Sequence, residues 1–342
     1  MYSPQEAASS GCASCSIFCQ FGAGRIGAIH AGNIARHPEA SLRHVVDIDA
    51  AAAGRLAAAH GAVVSDREAA LADPAVDAVL IASATDTHAE LVEAAARAGK
   101  AVFCEKPLDL DYRRAAACAA VAEACGAPLM VGFNRRFDPN FTRLAGQLRA
   151  GRAGRLELLQ ITSRDPVPPP PGFLRVSGGL FRDMTIHDFD MARWLMAEEP
   201  VQLFAAASVL VDPQIGAAGD VDTAVVTLRT ASGTLCQISN SRRAAYGYDQ
   251  RIEAFGAKGA LFAGNVAEST VGFAGADGVV ADKPLPFFLE RYAEAYRREL
   301  DHFIASVAGG AAPLVGGRDG VRALALADAA SESARSGRPV AL

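Results

Sequence analysis

Between residues 16–21 and 26–36, a run of β-forming residues gives way to a helical pattern across Gly22-Ala23-Gly24-Arg25-Ile26-Gly27. A G-x-G-x-x-G at a strand-to-helix junction leaves a chain few options. The first glycine permits the tight turn, the second lets backbone approach a pyrophosphate, and the third lets helix pack on strand. The helix N-terminus then offers free N–H groups and a partial positive charge to the phosphates. Alone the motif is weak, because glycine-rich turns also occur without ligands. Its context strengthens it: Asp47 ends the second strand 20 positions after Gly27, where a ribose-binding carboxylate belongs. Gly22, Gly24, Arg25, Ile26 and Asp47 are thus candidate dinucleotide contacts. Asp47 would accept hydrogen bonds from the ribose and repel a 2′-phosphate, favouring NAD over NADP. Asp49 competes for that role, and the plainer alternative for Asp47 is a solvated strand-end acid.

The alternation continues beyond the motif. The pattern predicts strands at residues 16–21, 42–48, 63–64, 78–82, 101–104 and 129–133, with helices at 26–36, 50–60, 88–98 and 112–125. Strands separated by single helices predict a parallel, doubly wound sheet with right-handed crossovers. The uninterrupted apolar run Ala78-Val79-Leu80-Ile81-Ala82 suits a strand covered on both faces. After about residue 150 the rhythm changes. Strands are expected at 156–162, 201–211, 224–229, 235–240, 250–255 and 260–263, separated by turns and so largely antiparallel. One helix, 184–196, is inserted early, and 291–308 and 318–334 close the chain. The expected fold class is α/β: a dinucleotide-binding domain over residues 1–134 and an α+β domain over 135–342 with a mostly antiparallel open sheet. The closing helices are free to pack back on the first domain. Pro166-Val167-Pro168-Pro169-Pro170-Pro171 reads as a stiff extended loop.

Composition narrows the function classes. With 342 residues, 51% hydrophobic and 21% charged, the chain is globular rather than disordered. A net charge of -5 disfavours a grip on nucleic-acid backbones. No stretch resembles a membrane span, and no basic residue precedes Arg25 to begin a secretory signal. The expectation is a soluble, cytoplasmic protein. Of seven cysteines, Cys12, Cys15 and Cys19 cluster, but no second C-x-x-C follows to complete a zinc site. Reduced structural thiols and no metal are expected.

Two further segments carry chemistry. Glu105-Lys106-Pro107 follows a strand, so Lys106 stands at a strand's carboxyl end, where open α/β sheets bind ligands. Read alone, it is as readily a surface lysine before a turn. In Gly178-Gly179-Leu180-Phe181-Arg182-Asp183-Met184-Thr185-Ile186-His187, Asp183 and His187 are four apart and would share one helical face. A carboxylate beside an imidazole would orient the ring and support its protonated form, which suits a general base near neutral pH. A capping or core histidine is the structural alternative. Arg135-Arg136 reads either as a phosphate-binding pair or as a solvated face.

Taken together and in this order, Gly22 to Gly27, Glu105-Lys106-Pro107 and the Asp183/His187 segment resemble the family of glucose–fructose oxidoreductase and inositol dehydrogenase. Within it the chain is most similar to the inositol 2-dehydrogenase branch. Ser163-Arg164-Asp165-Pro166, Gly132-Phe133-Asn134-Arg135-Arg136-Phe137-Asp138 and Tyr246-Gly247-Tyr248-Asp249 add to that likeness. The resemblance implies a Rossmann domain binding NAD, a second domain built on a large open sheet, and a homotetramer assembled through those sheets. It implies catalytic Lys106, Asp183 and His187, with Arg136, Asp165 and Tyr246 as further contacts to a cyclic polyol. Ser83, Thr85, His88, Glu105 and Lys106 join the cofactor side; His88 would begin a helix lining the nicotinamide side, and reads as structural rather than catalytic. The implied reaction is NAD-dependent oxidation of myo-inositol to 2-keto-myo-inositol, in inositol catabolism. Two alternatives stay open: a dehydrogenase for another stereoisomer or sugar, and a non-catalytic NAD-binding sensor.

Overall fold

The computed structural model describes residues 15–342. The cluster member Cys12 therefore lies outside the described residues; the six described cysteines are all free thiols.

The first half runs β1 (Ser16–Phe21), α1 (Arg25–Arg36), β2 (Ala40–Val46), α2 (Ala50–His60), β3 (Val63–Val64), α3 (Arg67–Ala72), β4 (Ala78–Ile81), α4 (His88–Arg97), β5 (Ala101–Glu105), α5 (Tyr112–Ala124) and β6 (Leu129–Gly132). All six strands are parallel, in the order β3-β2-β1-β4-β5-β6. The order reverses between β2 and β4, with β1 at the switch, so the ligand crevice opens at the carboxyl end of β1. Local signals account for the helices. Asp49 accepts from the backbone of Ala51 and Ala52 to cap α2, and Asp111 caps α5 through Arg114 N–H. Gly61 ends α2 in the left-handed conformation.

The second half runs α6 (Pro139–Arg149), β7 (Leu156–Arg164), α7 (Pro171–Leu174), α8 (Ile186–Met196), β8 (Pro200–Ser208), α9 (Pro213–Ala217), β9 (Thr223–Thr230), β10 (Leu235–Ser241), β11 (Asp249–Gly256) and β12 (Gly259–Ala263). After these come β13 (Gly272–Gly275), β14 (Gly278–Ala281), α10 (Phe288–Arg291), α11 (Ala293–Gly309), α12 (Gly317–Ser336) and β15 (Val340–Ala341). The large sheet has the order β12-β11-β7-β10-β9-β8-β15. Only β7 and β10 pair in parallel. The strands alternate buried and exposed residues, as expected when helices cover one face. α8 and α12 cover that face; Phe204, Val225, Leu235 and Phe255 stand exposed on the strands.

The proline-rich stretch departs from a purely extended loop, because its last proline starts the short helix α7. Pro at a first helical position loses no hydrogen bond, which is why the run can end in a helix. The closing helices do return to the first domain: Leu300, Phe303, Ile304, Ala323 and Leu324 share a core with Phe18 and Phe103.

Candidate active site

The glycine turn is built to admit a phosphate. Gly22 has φ +102°, and a Cβ there would fall 2.3 Å from the Ala82 carbonyl oxygen. At Gly27 a Cβ would meet the Gly22 carbonyl oxygen at 2.2 Å, whereas at Gly24 nothing lies within 4 Å. The outer glycines are thus required for close packing and the middle one leaves open space. Gly24 is the N-cap of α1 and provides no side-chain cap, so Arg25 and Ile26 begin the helix with backbone N–H groups free for an anion. Gln20, polar yet wholly buried in β1, holds this turn: its Nε2 donates to the carbonyls of Gly22 (2.8 Å) and Gly27 (2.9 Å).

At the end of β2, Asp47 accepts from Ala23 N–H at 2.6 Å and from Asp49 N–H at 2.8 Å. Its carboxylate therefore lies against the glycine turn. Asp49 spends its own carboxylate on capping α2, which separates the two rivals. Past β4, Ser83 pairs its hydroxyl with Thr87 at 2.7 Å, and Thr85 opens a 3-10 turn, Thr85–Thr87.

Two expected cofactor contacts have other work. His88 is buried, with Nδ1 2.8 Å from the Pro107 carbonyl oxygen and Nε2 3.1 Å from that of Ser83. Both ring nitrogens are occupied, so it braces the loops after β4 and β5 rather than facing a ligand. Glu105 turns inward to His30, 2.7 Å away. The crevice retains the features a dinucleotide needs: a glycine cradle, an uncapped helix N-terminus and a carboxylate at the second strand's end.

Lys106 begins the loop after β5, joined to Pro107 by a cis peptide bond. Its Nζ donates to the Asp183 carbonyl oxygen at 2.8 Å and lies 3.3 Å from Asp183 Oδ1. These residues are 77 apart in sequence, and their contact ties the first domain to the second. Asp183 sits in a π-helical turn, Phe181–Thr185, that leads into α8, whose first turn carries His187. Gly178 and Gly179 take φ +80° and +85° just before it; a Cβ on Gly179 would fall 2.7 Å from Asp220 Oδ1, which accepts from Leu180 N–H.

The Asp183 carboxylate, expected beside the His187 imidazole to orient it, makes no hydrogen bond to that ring. Two cations take the Asp183 carboxylate instead: Lys106, and Arg242 Nη1 at 3.4 Å from Oδ2. Among the described residues His187 Nδ1 has no hydrogen-bond partner, and the Phe133 ring meets the imidazole edge-on at 5.9 Å. Burial, with the charges of Lys106 and Arg135, holds its pKa well below the usual imidazole range. His187 is therefore neutral and able to accept a proton.

Arg242 is the residue that the sequence reading missed. It is almost fully buried, and it reaches Asp183, Asp220 (3.7 Å) and Asp165 (3.9 Å). Arginines are mostly exposed, so its position at a strand end gave no cue. Asp165 follows β7 directly, and burial pushes its pKa up to about 7, with Arg242 opposing and Asp183 adding to the rise. Tyr246 lies at the same end of the sheet, where Arg164 pairs with both Ser241 and Asp249. Its hydroxyl donates to Asp249 at 2.5 Å and accepts from Arg164 at 2.9 Å.

Neither reading of the double arginine holds, and Arg136 does not face the cleft. Its buried guanidinium donates to Asp190 (2.8 and 2.5 Å) and Asp319 (3.0 Å), which uses the N–H groups that a polyol contact would need. Arg135 likewise pairs with Asp188 at 2.6 Å, and Asn240 donates to the same carboxylate at 2.8 Å. Together these buried ion pairs fix α8 against the segment after β6 and against β10, since a buried charge is tolerated only when paired and hydrogen-bonded.

Comparison with known proteins agrees with this architecture. Residues 19–133 match the family model described as "Oxidoreductase family, NAD-binding Rossmann fold". Residues 146–342 match "Oxidoreductase family, C-terminal alpha/beta domain". Inositol 2-dehydrogenase of Rhizobium meliloti is 50% identical over 325 residues, 95% of this chain and 98% of the relative. Myo-inositol 2-dehydrogenase of Thermotoga maritima is 50% identical over 323 residues, 94% of this chain and 97% of the relative. The structure of scyllo-inositol dehydrogenase from Lactobacillus casei, with bound cofactor NAD(H) and scyllo-inositol, superposes with a TM-score of 0.89 at 28% identity, covering 96% of this chain and 99% of that one. With a glycine cradle, a Lys106–Asp183 bridge between domains and family matches over both halves, this chain belongs to the GFO/IDH/MocA oxidoreductase family, that of glucose–fructose oxidoreductase and inositol dehydrogenase.

Proposed function

We propose that this chain oxidises one secondary hydroxyl of a cyclic polyol, myo-inositol to 2-keto-myo-inositol, with NAD as the acceptor. The observation that carries the reading is the meeting of Lys106 with Asp183 across the domain boundary, one helical turn before a neutral His187. Residues 1–134 would hold the cofactor through Gly22, Gly24, Arg25, Ile26 and Asp47, with Ser83 and Thr85 beyond the next strand. Bound there, NAD supplies a nicotinamide that accepts hydride. His187 removes the hydroxyl proton, and its neutral state makes it competent to do so at ordinary pH. Lys106 donates to the reacting oxygen and favours its alkoxide character. Asp183 holds Nζ in place and balances its charge.

Residues 135–342 would supply the specificity. A polyol has no charge to grip, so selection rests on hydroxyl hydrogen bonds whose loss leaves buried polar groups unpaired. Asp165 and Tyr246 are the candidate partners at the sheet end. Identity of 50% to a relative named myo-inositol 2-dehydrogenase supports myo-inositol over other stereoisomers. A non-catalytic sensor would have no need of the lysine and histidine placed here. The exposed face of the large sheet is suited to assembling four copies, in the cytoplasm; no helix among the described residues is long and apolar enough to cross a membrane. NADH formation across a panel of inositol stereoisomers and sugars tests the substrate: the highest kcat/KM should fall on myo-inositol, and a higher value on another stereoisomer or on a sugar would overturn it.

A further inference from the structure

Behind Lys106, three titratable side chains converge in a place that the proposed chemistry leaves unused. His30 comes from α1, Glu105 from the end of β5 and Glu299 from α11, each offering an atom within 4.8 Å of the others. His30 Nε2 meets Glu105 Oε1 at 2.7 Å. His30 and Glu299 are wholly buried and Glu105 nearly so. The Phe103 and Tyr296 rings pack edge-on against the imidazole at 5.1 and 5.7 Å. Room for the carboxylate is made by Gly132 on β6, where a Cβ would fall 2.9 Å from Glu105 Oε2. Among the described residues, neither buried Glu299 oxygen has a hydrogen-bond partner, and no lysine or arginine pairs with Glu105 or Glu299.

Two carboxylates cannot both be ionised here. Like charges a few ångströms apart disfavour one another, and a buried charge with no partner takes up or loses a proton instead. His30 Nε2 is engaged with Glu105, and Glu299 is left without a counter-charge among the described residues. We propose that Glu299 is kept as a neutral carboxylic acid and that, with His30, it holds the Glu105 side chain inward, fixing the strand end that presents Lys106. Burial and the neighbouring Glu105 charge both push the Glu299 carboxyl well above the usual range, in keeping with this. Glu105 is the last residue of β5 and Lys106 follows it directly, so anchoring Glu105 in the core fixes the point from which Lys106 departs. Glu299 is thus a positioning residue that acts through Glu105.

Infrared spectroscopy of the full chain tests the proton directly. The wild-type minus Glu299→Gln difference spectrum at neutral pH should contain a protonated-carboxyl C=O stretch; its absence would overturn the proposal. Kinetics test the positioning, and this arm rests on the polyol reading, whereas the infrared arm does not. Glu299→Gln, which keeps a donor and the shape, should hold kcat within about threefold, and Glu299→Leu should lower it about tenfold or more with KM for NAD little changed, since small misplacements of a reacting group cost up to about 10²-fold. Thermal unfolding of both variants shows that they fold. Glu299→Leu turning over like the wild type would reduce the residue to packing. Equal damage from Gln and Leu, or a stoichiometric metal ion lost in Glu299→Gln, would make Glu299 an anion or a ligand and overturn the proposal. A wild type inactive on every polyol would count against the substrate reading while the infrared result still decides the proton.

Discussion

At the scale of single residues, charge state and burial divide the work. Asp47 lies against the glycine turn with part of its carboxylate still presented to solvent, where it would meet a ribose. Replacing it by serine should shift the ratio of kcat/KM for NAD over NADP about tenfold or more toward NADP, since a hydrogen bond to a charged group is worth roughly 1.5–3 kcal/mol. An unchanged ratio in steady-state kinetics would remove Asp47 from cofactor choice. Asp165 carries a pKa of about 7, above its value in an unfolded chain. The folded form then binds more protons between about pH 4 and 7, so this residue's contribution is full in acid and is lost as pH rises through that window. Asp165→Asn should therefore melt like the wild type near pH 4 and progressively higher than it by pH 8, each kcal/mol being worth about 2–4 °C in a domain of about 150–250 residues. A difference that does not change with pH would contradict this. A strand end, a helical repeat and the family resemblance single out Lys106, Asp183 and His187, and the structure brings the first two into contact. The partner of Asp183 was not legible: spacing along one helix says nothing of Lys106 or Arg242 arriving from other strands. Arg136 was misjudged for the same reason, since Asp190 and Asp319 lie 54 and 183 positions away.

At the scale of elements, the glycine turn and the strand before it act together. Gln20 spends its amide on the carbonyls of Gly22 and Gly27, which explains a polar residue inside a buried strand. Gln20→Leu keeps the volume but frees the turn. It should weaken NAD binding about tenfold in calorimetric titration with little change in kcat, since two hydrogen bonds contribute roughly 0.5–1.5 kcal/mol each. Unaltered affinity would mean that the turn holds itself. The alternation of strand and helix made the first domain legible almost element by element. In the second half the strand expected over 201–211 stops at Ser208, because the Asp222 carboxylate captures the N–H groups of Leu210, Val211 and Asp212 and turns the chain out of the sheet. The short helix α3, helix α6 and the β13–β14 hairpin were also missed. α6 opens with Asp138 and Pro139, a cap and a first-turn proline that read equally well as a loop.

At the scale of the whole molecule, the closing helices join both cores, so the glycine crevice and the Lys106–Asp183 contact are held in one frame. The outer face of the large sheet exposes Phe204, Val225 and Phe255, a surface that a second copy would cover. Sedimentation equilibrium should find a tetramer, and Val225→Lys with Phe255→Glu should shift it to smaller species while leaving the fold intact. A monomeric wild type would contradict assembly through that face. Whether His187 takes a proton beside Lys106 as hydride leaves for NAD is decided by initial rates of NADH formation from myo-inositol in the wild type, Lys106→Ala and His187→Ala. The wild type should turn over and prefer NAD to NADP, and each variant should lose about 10²-fold or more in kcat, the usual contribution of a positioned acid–base group being about 10²–10⁴. Near-wild-type turnover in either variant, or no NADH from an NAD-bound wild type, would contradict that chemistry.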